Sequence, residues 1–204
     1  MEKIGYIKFD KTNLRYGING FSQLMGSINY NFRDLVEEMT DVVQPIPSAM
    51  IFTKNGKILA IEKTAKSTGE KSPEKGKTLL YVGGHLDEAD KATDNLTIFK
   101  NTMLREIYEK DELGKDLSNA KIGNPVVVYT PISEKSKKHV GIIFPIELEK
   151  EFEITSNNEM KTIKFIELSR VNDLPNLEDW SKIAFEFLQP QIKAQNNQNC
   201  EFKF

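Results

Sequence analysis

Two short stretches hold residue types that could do chemistry together. The first is Gly83-Gly84-His85-Leu86. The second, Arg105-Glu106-Ile107-Tyr108-Glu109, begins twenty-one positions after Gly84. On a helix Glu106 and Glu109 stand at i and i+3, so both carboxylates share one face. Arg105, four residues before Glu109, can orient that carboxylate by a forked pair. Two carboxylates facing a glycine turn with a free carbonyl make an all-oxygen pocket, the donor set of Mg²⁺ or Mn²⁺. A cation held this way would polarise a phosphoryl group and activate water. Taken alone, Arg-Glu-x-x-Glu is more often the pattern of a solvated helix face, so its meaning depends on the elements that present it.

Those elements are legible. Thr78-Leu79-Leu80-Tyr81-Val82 is a short apolar strand running directly into Gly83-Gly84. The spacing of Ile98, Phe99, Thr102, Met103, Ile107 and Leu113 predicts a helix over Leu96 to Leu113, with Asn95 as N-cap and Gly114 as stop. Between strand and helix, the polar stretch Asp87 to Asn95 is expected to be an exposed, mobile loop. Upstream, Ala49 to Thr53 and Ile58 to Ile61 flank Asn55-Gly56 as a β-hairpin. Downstream, Pro125 to Ile132 and His139 to Leu148 read as strands joined by Ser133 to Lys138, and Lys161 to Leu168 as another strand. Leu177 to Leu188 reads as a closing helix ended by Pro190, with a frayed tail beyond it. Near the start, Ile4 to Phe9 suits a strand and Tyr30 to Met39 a short amphipathic helix. Gln44-Pro45-Ile46-Pro47 reads as a break, because each proline removes a ladder donor. Strands dominate and hairpins outnumber crossovers, which fits a mixed sheet flanked by helices.

Composition narrows the function classes. The chain has 204 residues, 39% hydrophobic and 28% charged, enough apolar material for one real core. Lys plus Arg number 28 against 30 Asp plus Glu, so there is no basic surplus of the kind a dedicated nucleic-acid binder needs. A single cysteine, Cys200, excludes a disulfide framework and a cysteine-rich zinc site. No signal-peptide pattern opens the sequence, and no apolar run approaches the roughly 18 residues of a membrane helix. A soluble cytoplasmic protein without a membrane partner is expected, with monomer and homodimer both open. Among single residues, His85 reads either as a phosphate contact or as a loop histidine with a structural hydrogen bond. His139 and Trp180 read as packing residues, and Lys135, Lys137 and Lys138 as an exposed tip.

Together these residues resemble the Nudix family. Its signature is a glycine, five residues, a glutamate, seven residues, then Arg-Glu-aliphatic-x-Glu-Glu-x-Gly-aliphatic. Gly84 matches the opening glycine, Arg105 to Glu109 the start of the helical part, and Leu113 the closing aliphatic position. Within the family the chain looks most like predicted phosphoesterases that carry Gly-Gly-His after the strand and return through a His-Val-Gly strand and a Glu-x-Trp-Ser helix. Here those are Gly83-Gly84-His85, His139-Val140-Gly141 and Glu178-Asp179-Trp180-Ser181. The sequence departs from the signature in three ways. Gly84 and Arg105 are seven residues further apart than the signature requires. Counting back from Arg105 places Thr97 at the early glutamate. Lys110 and Glu112 replace the second glutamate of the pair and the following glycine.

The resemblance implies an α/β fold of the α+β type, a Nudix-like α/β/α sandwich with a mixed, largely antiparallel sheet. It divides the chain into an N-terminal extension packed on the domain (1–44), the Nudix-like domain (45–190) and a polar C-terminal tail (191–204). It implies a metal-dependent hydrolase that cleaves the pyrophosphate bond of a nucleoside diphosphate linked to another group, with a nucleotide-like small molecule as partner. Glu106, Glu109 and the Gly83 carbonyl would hold Mg²⁺ or Mn²⁺, Arg105 would orient them, and Gly84 and His85 would meet substrate. Glu147 or Glu149 could supply a further acidic group. The alternative is a Nudix-fold nucleotide-binding or sensor module with weakened catalysis. Lys110 is the feature behind it, because an ammonium four residues after Glu106 would lower cation affinity.

Overall fold

The structure is a computed structural model that describes residues 2–24, 26–63, 74–110, 117, 120–153 and 160–197. Its strands are β1 (Lys3–Lys8), β2 (Gly17–Asn19), β3 (Asn29–Phe32), β4 (Val42–Thr53), β5 (Lys57–Lys63), β6 (Thr78–Leu79), β7 (Val82–Gly83), β8 (Lys121–Ile122), β9 (Val126–Tyr129), β10 (His139–Leu148) and β11 (Met160–Glu167). The α-helices are α1 (Arg33–Glu38), α2 (Asn95–Arg105) and α3 (Asp179–Asn197). The main path through the sheet runs β11-β5-β4-β10-β9-β2. Only β4 and β10 pair in parallel among the described strands, in register from His139–Gln44 to Leu148–Thr53. All of β4 is buried, as is β10 after His139. A parallel pair covered on both faces requires near-continuous apolar runs, and both strands have them. No described helix is long and apolar enough to cross a membrane.

The hairpin predicted at Asn55-Gly56 forms: Gly56 takes φ 84° and its N–H donates to the Thr53 carbonyl at 3.0 Å. Beyond the Phe52–Ile58 pair the two arms diverge, and β6 and β7 occupy the opening. Leu79 pairs with Ile61 of β5, whereas Val82 pairs with Ala49 of β4. The single strand expected over Thr78 to Val82 is therefore divided at Leu80-Tyr81, where it changes neighbours. At the change the Leu80 N–H donates to Ser181 Oγ at 3.0 Å instead of to a ladder carbonyl.

Several expectations are corrected. Gln44 to Pro47 is not a break but the middle of β4. The Pro47 carbonyl accepts from Gly84 N, so this residue turns its backbone polar edge away from β10. Pro45, two residues earlier, turns the same way. On that edge β4 has paired strands at Val42–Val43 and again at Ser48–Ala49. The prolines occupy the interval between, so neither removes a donor that the β10 ladder uses. Asn29 to Phe32 is a strand on β1 rather than helix, and only Arg33–Glu38 is helical. Pairing with β1 outweighs the helical period there, and in α1 only Val36 is buried. Pro190 lies inside α3, which continues to Asn197. It is exposed, while Ile192 beyond it is 2% exposed. Burial of Ile192 offsets the lost helix bond. The predicted stop at Gly114 and the Leu113 match lie outside the described residues.

Candidate functional site

Gly83 ends β7 opposite Ser48 of β4, and Gly84 follows it, its N–H donating to the Pro47 carbonyl at 3.3 Å. A Cβ on Gly83 would overlap Ser48, and one on Gly84 would overlap the Glu106 carboxylate. The absence of both side chains lets the turn lie flat on the strand and lets Glu106 close onto it. Glu106 is 3% exposed. It begins a π-helical turn, Glu106–Lys110, that continues α2 in wider coils. The expected meeting of the glycine turn with Glu106 is therefore present. The side chains of Glu109 and Lys110 fall outside the described residues.

Arg105 has partners that its spacing to Glu109 did not point to. Its guanidinium is committed to Asp90, with Nε donating to Oδ1 at 3.0 Å and Nη2 to Oδ2 at 2.8 Å. Nη1 donates to Glu106 Oε1 at 2.6 Å and Nη2 also to the His85 carbonyl at 3.0 Å. One planar side chain thus ties together the start of the glycine segment, a buried aspartate and the carboxylate at the turn, which lysine could not do. Burial alone would lower the Arg105 pKa, but the hydrogen bonds to Asp90 and the Glu106 charge outweigh it and raise it. Burial likewise opposes ionisation of Asp90, yet hydrogen bonds from Arg105, Thr102 and the Asp87 N–H hold its carboxyl below its usual value.

Asp90 is the residue that the backward count missed. It stands six positions after Gly84, the signature's own glycine-to-glutamate spacing, with aspartate in place of glutamate. Thr97, which that count selected, instead donates its N–H and hydroxyl to Asp94. Fifteen positions separate Asp90 from Arg105, where the signature has eight, so all seven extra residues lie after Asp90. Counting forward from the glycine would have found it. The Asp87 to Asn95 stretch is accordingly not a plain exposed loop. Residues 91–94 are exposed, but Asp87 and Asp90 form a capping box around a 3-10 turn at Glu88–Asp90, and Asp90 is 5% exposed. Asp94, not Asn95, caps α2, through the Thr97 N–H at 2.9 Å. The Asn95 amide donates instead to the carbonyls of Leu24 and Gly26.

The opposite face of the sheet carries the remaining motif residues. Gly141 pairs with Ile46 and Gly83 with Ser48, so these two glycines share a face and Gly84 points to the other. A Cβ on Gly141 would lie 2.8 Å from Trp180 Cε3, and the indole N–H donates to Thr130 Oγ1 at 2.9 Å. Trp180 is a packing residue, as expected. Glu178 caps α3 by accepting from Ser181 N at 3.0 Å, and burial pushes its carboxyl up. The rings of His85 and His139 meet edge to face at 5.7 Å. His139 Nδ1 lies 2.8 Å from the Lys135 carbonyl, and burial lowers its pKa. Glu147 pairs with Phe52, four residues along β4 from Ser48 and roughly 13 Å away. Glu149 pairs with Lys54 on the surface. Neither reaches the glycine turn.

One described carboxylate, that of Glu106, therefore stands at the turn, with Asp90 linked to it through Arg105. Among the described residues, no three Asp, Glu, His or Cys side chains cluster as a metal site. The donor chemistry suits a divalent cation, and a full ligand set requires more than the described side chains.

No protein-family model matches the chain, and no curated protein does. Solved structures do. Tm1382, a candidate Nudix hydrolase, superposes with TM-score 0.66 at 20% identity, covering 93% of this chain and 99% of its own. The Nudix domain of Shewanella oneidensis NrtR, solved with ADP ribose, gives TM-score 0.55 at 16% identity, covering 74% of this chain and 88% of its own. A bifunctional NMN adenylyltransferase/ADP ribose pyrophosphatase from Francisella tularensis, with AMP and a Mn ion, gives 0.51 at 15% identity. That match covers 74% of this chain and 42% of the other. The chain has the Nudix fold, with the mixed, mostly antiparallel sheet that the resemblance implies.

Proposed function

We propose that this chain is a Nudix-type hydrolase that cleaves a diphosphate linkage in a nucleotide-bearing small molecule. One observation carries the reading: Glu106 is closed onto the Gly83-Gly84 turn and locked there by Arg105 and Asp90. Nothing in the packing of this core requires a buried carboxylate and guanidinium at a strand end, and desolvating them costs several kcal/mol per ion unless both are paired. The ligands named for the two solved neighbours, ADP ribose and AMP with Mn, support a nucleotide-bearing substrate.

Glu106, the Gly83 carbonyl and Glu109 would hold Mg²⁺ or Mn²⁺, which when bound neutralises developing charge on the phosphoryl oxygens. The chain's own residues do the positioning. Gly84 leaves room for the carboxylate. Arg105 spends its fork on Asp90, Glu106 and the His85 carbonyl, so it orients groups rather than reacting itself. His85, one residue past the turn, gives its carbonyl to Arg105 while its ring packs on His139, so it would contribute to the site through its backbone.

The test is a screen for release of nucleoside monophosphate, read by chromatography, from nucleoside diphosphates linked to varied groups, with Mg²⁺ and with Mn²⁺, beside Glu106→Gln and Glu109→Gln. Metal-dependent release by the wild type that both variants lose is the expected result. Release unaffected by either substitution would place the chemistry elsewhere.

A further inference from the structure

The segment from Gly83 to Asp90 is held by two strands, not one. It leaves β4 at Gly84 and is taken up at once by β1: Gly5 N donates to the Leu86 carbonyl at 3.0 Å, and Ile4 bridges Asp87. β1 itself lies on the same strand further back, through Ile7–Val43. His85, whose carbonyl Arg105 grips, is the residue of transfer between the two supports. The contact is close. A Cβ on Gly5 would stand 2.7 Å from Leu86 Cβ and 2.8 Å from its Cδ1, and Leu86 is fully buried.

The stretch that carries the seven extra residues rests on the same N-terminal region. Lys91 Nζ lies over the Tyr30 ring at 4.9 Å. Asn95, at the start of α2, donates to the carbonyls of Leu24 at 3.1 Å and Gly26 at 3.0 Å. Phe99, one helical turn on, meets Phe21 edge to face at 5.9 Å. Asp90 and Arg105 are thus fifteen positions apart along a chain that is docked on residues 2–32 at both ends of the added length.

We propose that the N-terminal region is part of the site, with Gly5 and Asn95 as positioning residues that hold Asp90 and Arg105 in register across the lengthened connection. A longer connection has more ways to close, and an unanchored one would let the Asp90–Arg105 pair form without bringing Glu106 to the glycine turn. Docking on β1 and on the Leu24–Gly26 carbonyls removes that freedom. The proposal rests on the reading of Glu106 as a functional carboxylate, but its geometric content can be tested without turnover.

The experiment compares wild type, Gly5→Ala, Asn95→Ala and Lys3→Ala. The last removes an exposed ion pair with Glu88 and a contact with the Phe32 ring, neither of which touches the Gly83–Asp90 backbone or Arg105. Two readouts are taken: the Arg105 Nε–H resonance by NMR, and kcat with whichever diphosphate the screen returns. Gly5→Ala and Asn95→Ala are expected to move or broaden the Arg105 resonance, while Lys3→Ala leaves it in place. Gly5→Ala is expected to lower kcat by roughly a hundredfold, the order for an ångström-scale misplacement, and Asn95→Ala by less. Variants that melt earlier while keeping the wild-type Arg105 resonance and kcat would overturn the proposal, because the N-terminal region would then be structural only. If Gly5→Ala fails to fold, Asn95→Ala decides by the same criteria. If the wild type hydrolyses nothing, the hydrolase reading fails by itself and the Arg105 resonance still decides this one.

Discussion

Gly84 and Gly141 perform the same service on opposite faces of one sheet. Each lies where a Cβ would overlap a side chain brought by a helix, the Glu106 carboxylate at Gly84 and the Trp180 indole at Gly141. Their surroundings differ. Trp180 needs one polar partner, Thr130, and otherwise packs among Tyr81 and the apolar residues of α3 and β10. Glu106 needs a guanidinium, which in turn needs Asp90, which needs Thr102 and the Asp87 N–H. A glycine that admits an aromatic ring requires little further, whereas one that admits a charge requires a chain of polar partners extending to a second loop. That asymmetry separates a packing contact from a site.

The comparison breaks most readily at Asp90. Asp90→Ala would leave Arg105 charged and largely buried without its main partner, at an expected cost of about 3–5 kcal/mol in urea unfolding. A cost below that of an exposed pair such as Arg33–Glu37, about 0–1 kcal/mol, would show that the guanidinium finds other company. Gly84→Ala comes next. The methyl group displaces Glu106 from the turn, and turnover should fall by roughly a hundredfold in a protein that still folds. Gly141→Ala should do the reverse, costing about 1–3 kcal/mol of stability as the indole is pushed from β10, with kcat of the folded protein retained. If both glycine substitutions lowered kcat alike, the two faces would not be functionally distinct.

The smallest effect expected is in pH dependence, and its sign separates the two regions. Asp90 is held below its ordinary value of 3.8, so the unfolded chain binds more protons as pH falls. Its stabilisation is full above 3.8 and is lost as pH drops through the folded pKa. Glu178, at the start of the helix that carries Trp180, is raised above its ordinary 4.5 by burial. Its contribution is full below 4.5 and is lost as pH rises from there to the folded value. Asp90→Asn should flatten the acid limb of the stability profile and Glu178→Gln the fall above pH 4.5. Each slope is at most about 1.4 kcal/mol per pH unit, the limit for one proton. Equilibrium unfolding across pH 2–8 would reveal both, and unchanged limbs would show that neither carboxyl differs between folded and unfolded chains.

Features written within a few residues were determined by the sequence alone. The Asn55-Gly56 turn and the continuous apolar run of β10 needed no tertiary information, because hairpin geometry and burial are properties of short segments. The tertiary structure decided what depends on a partner distant in the chain. Pro45 and Pro47 read as a break until β10 claims one edge of β4 and leaves their missing donors on the other. Gly17–Asn19 becomes a strand only because Val127 to Tyr129 lies beside it. Pro190 is tolerated because Ile192 finds the core. Arg105 meets Asp90 because the fold sets a buried aspartate against its fork, fifteen residues back in the chain. Local preferences are worth tenths of a kcal/mol per residue, and one buried ion pair or one core side chain outweighs several of them, so sheet register and burial have the final say where the two disagree.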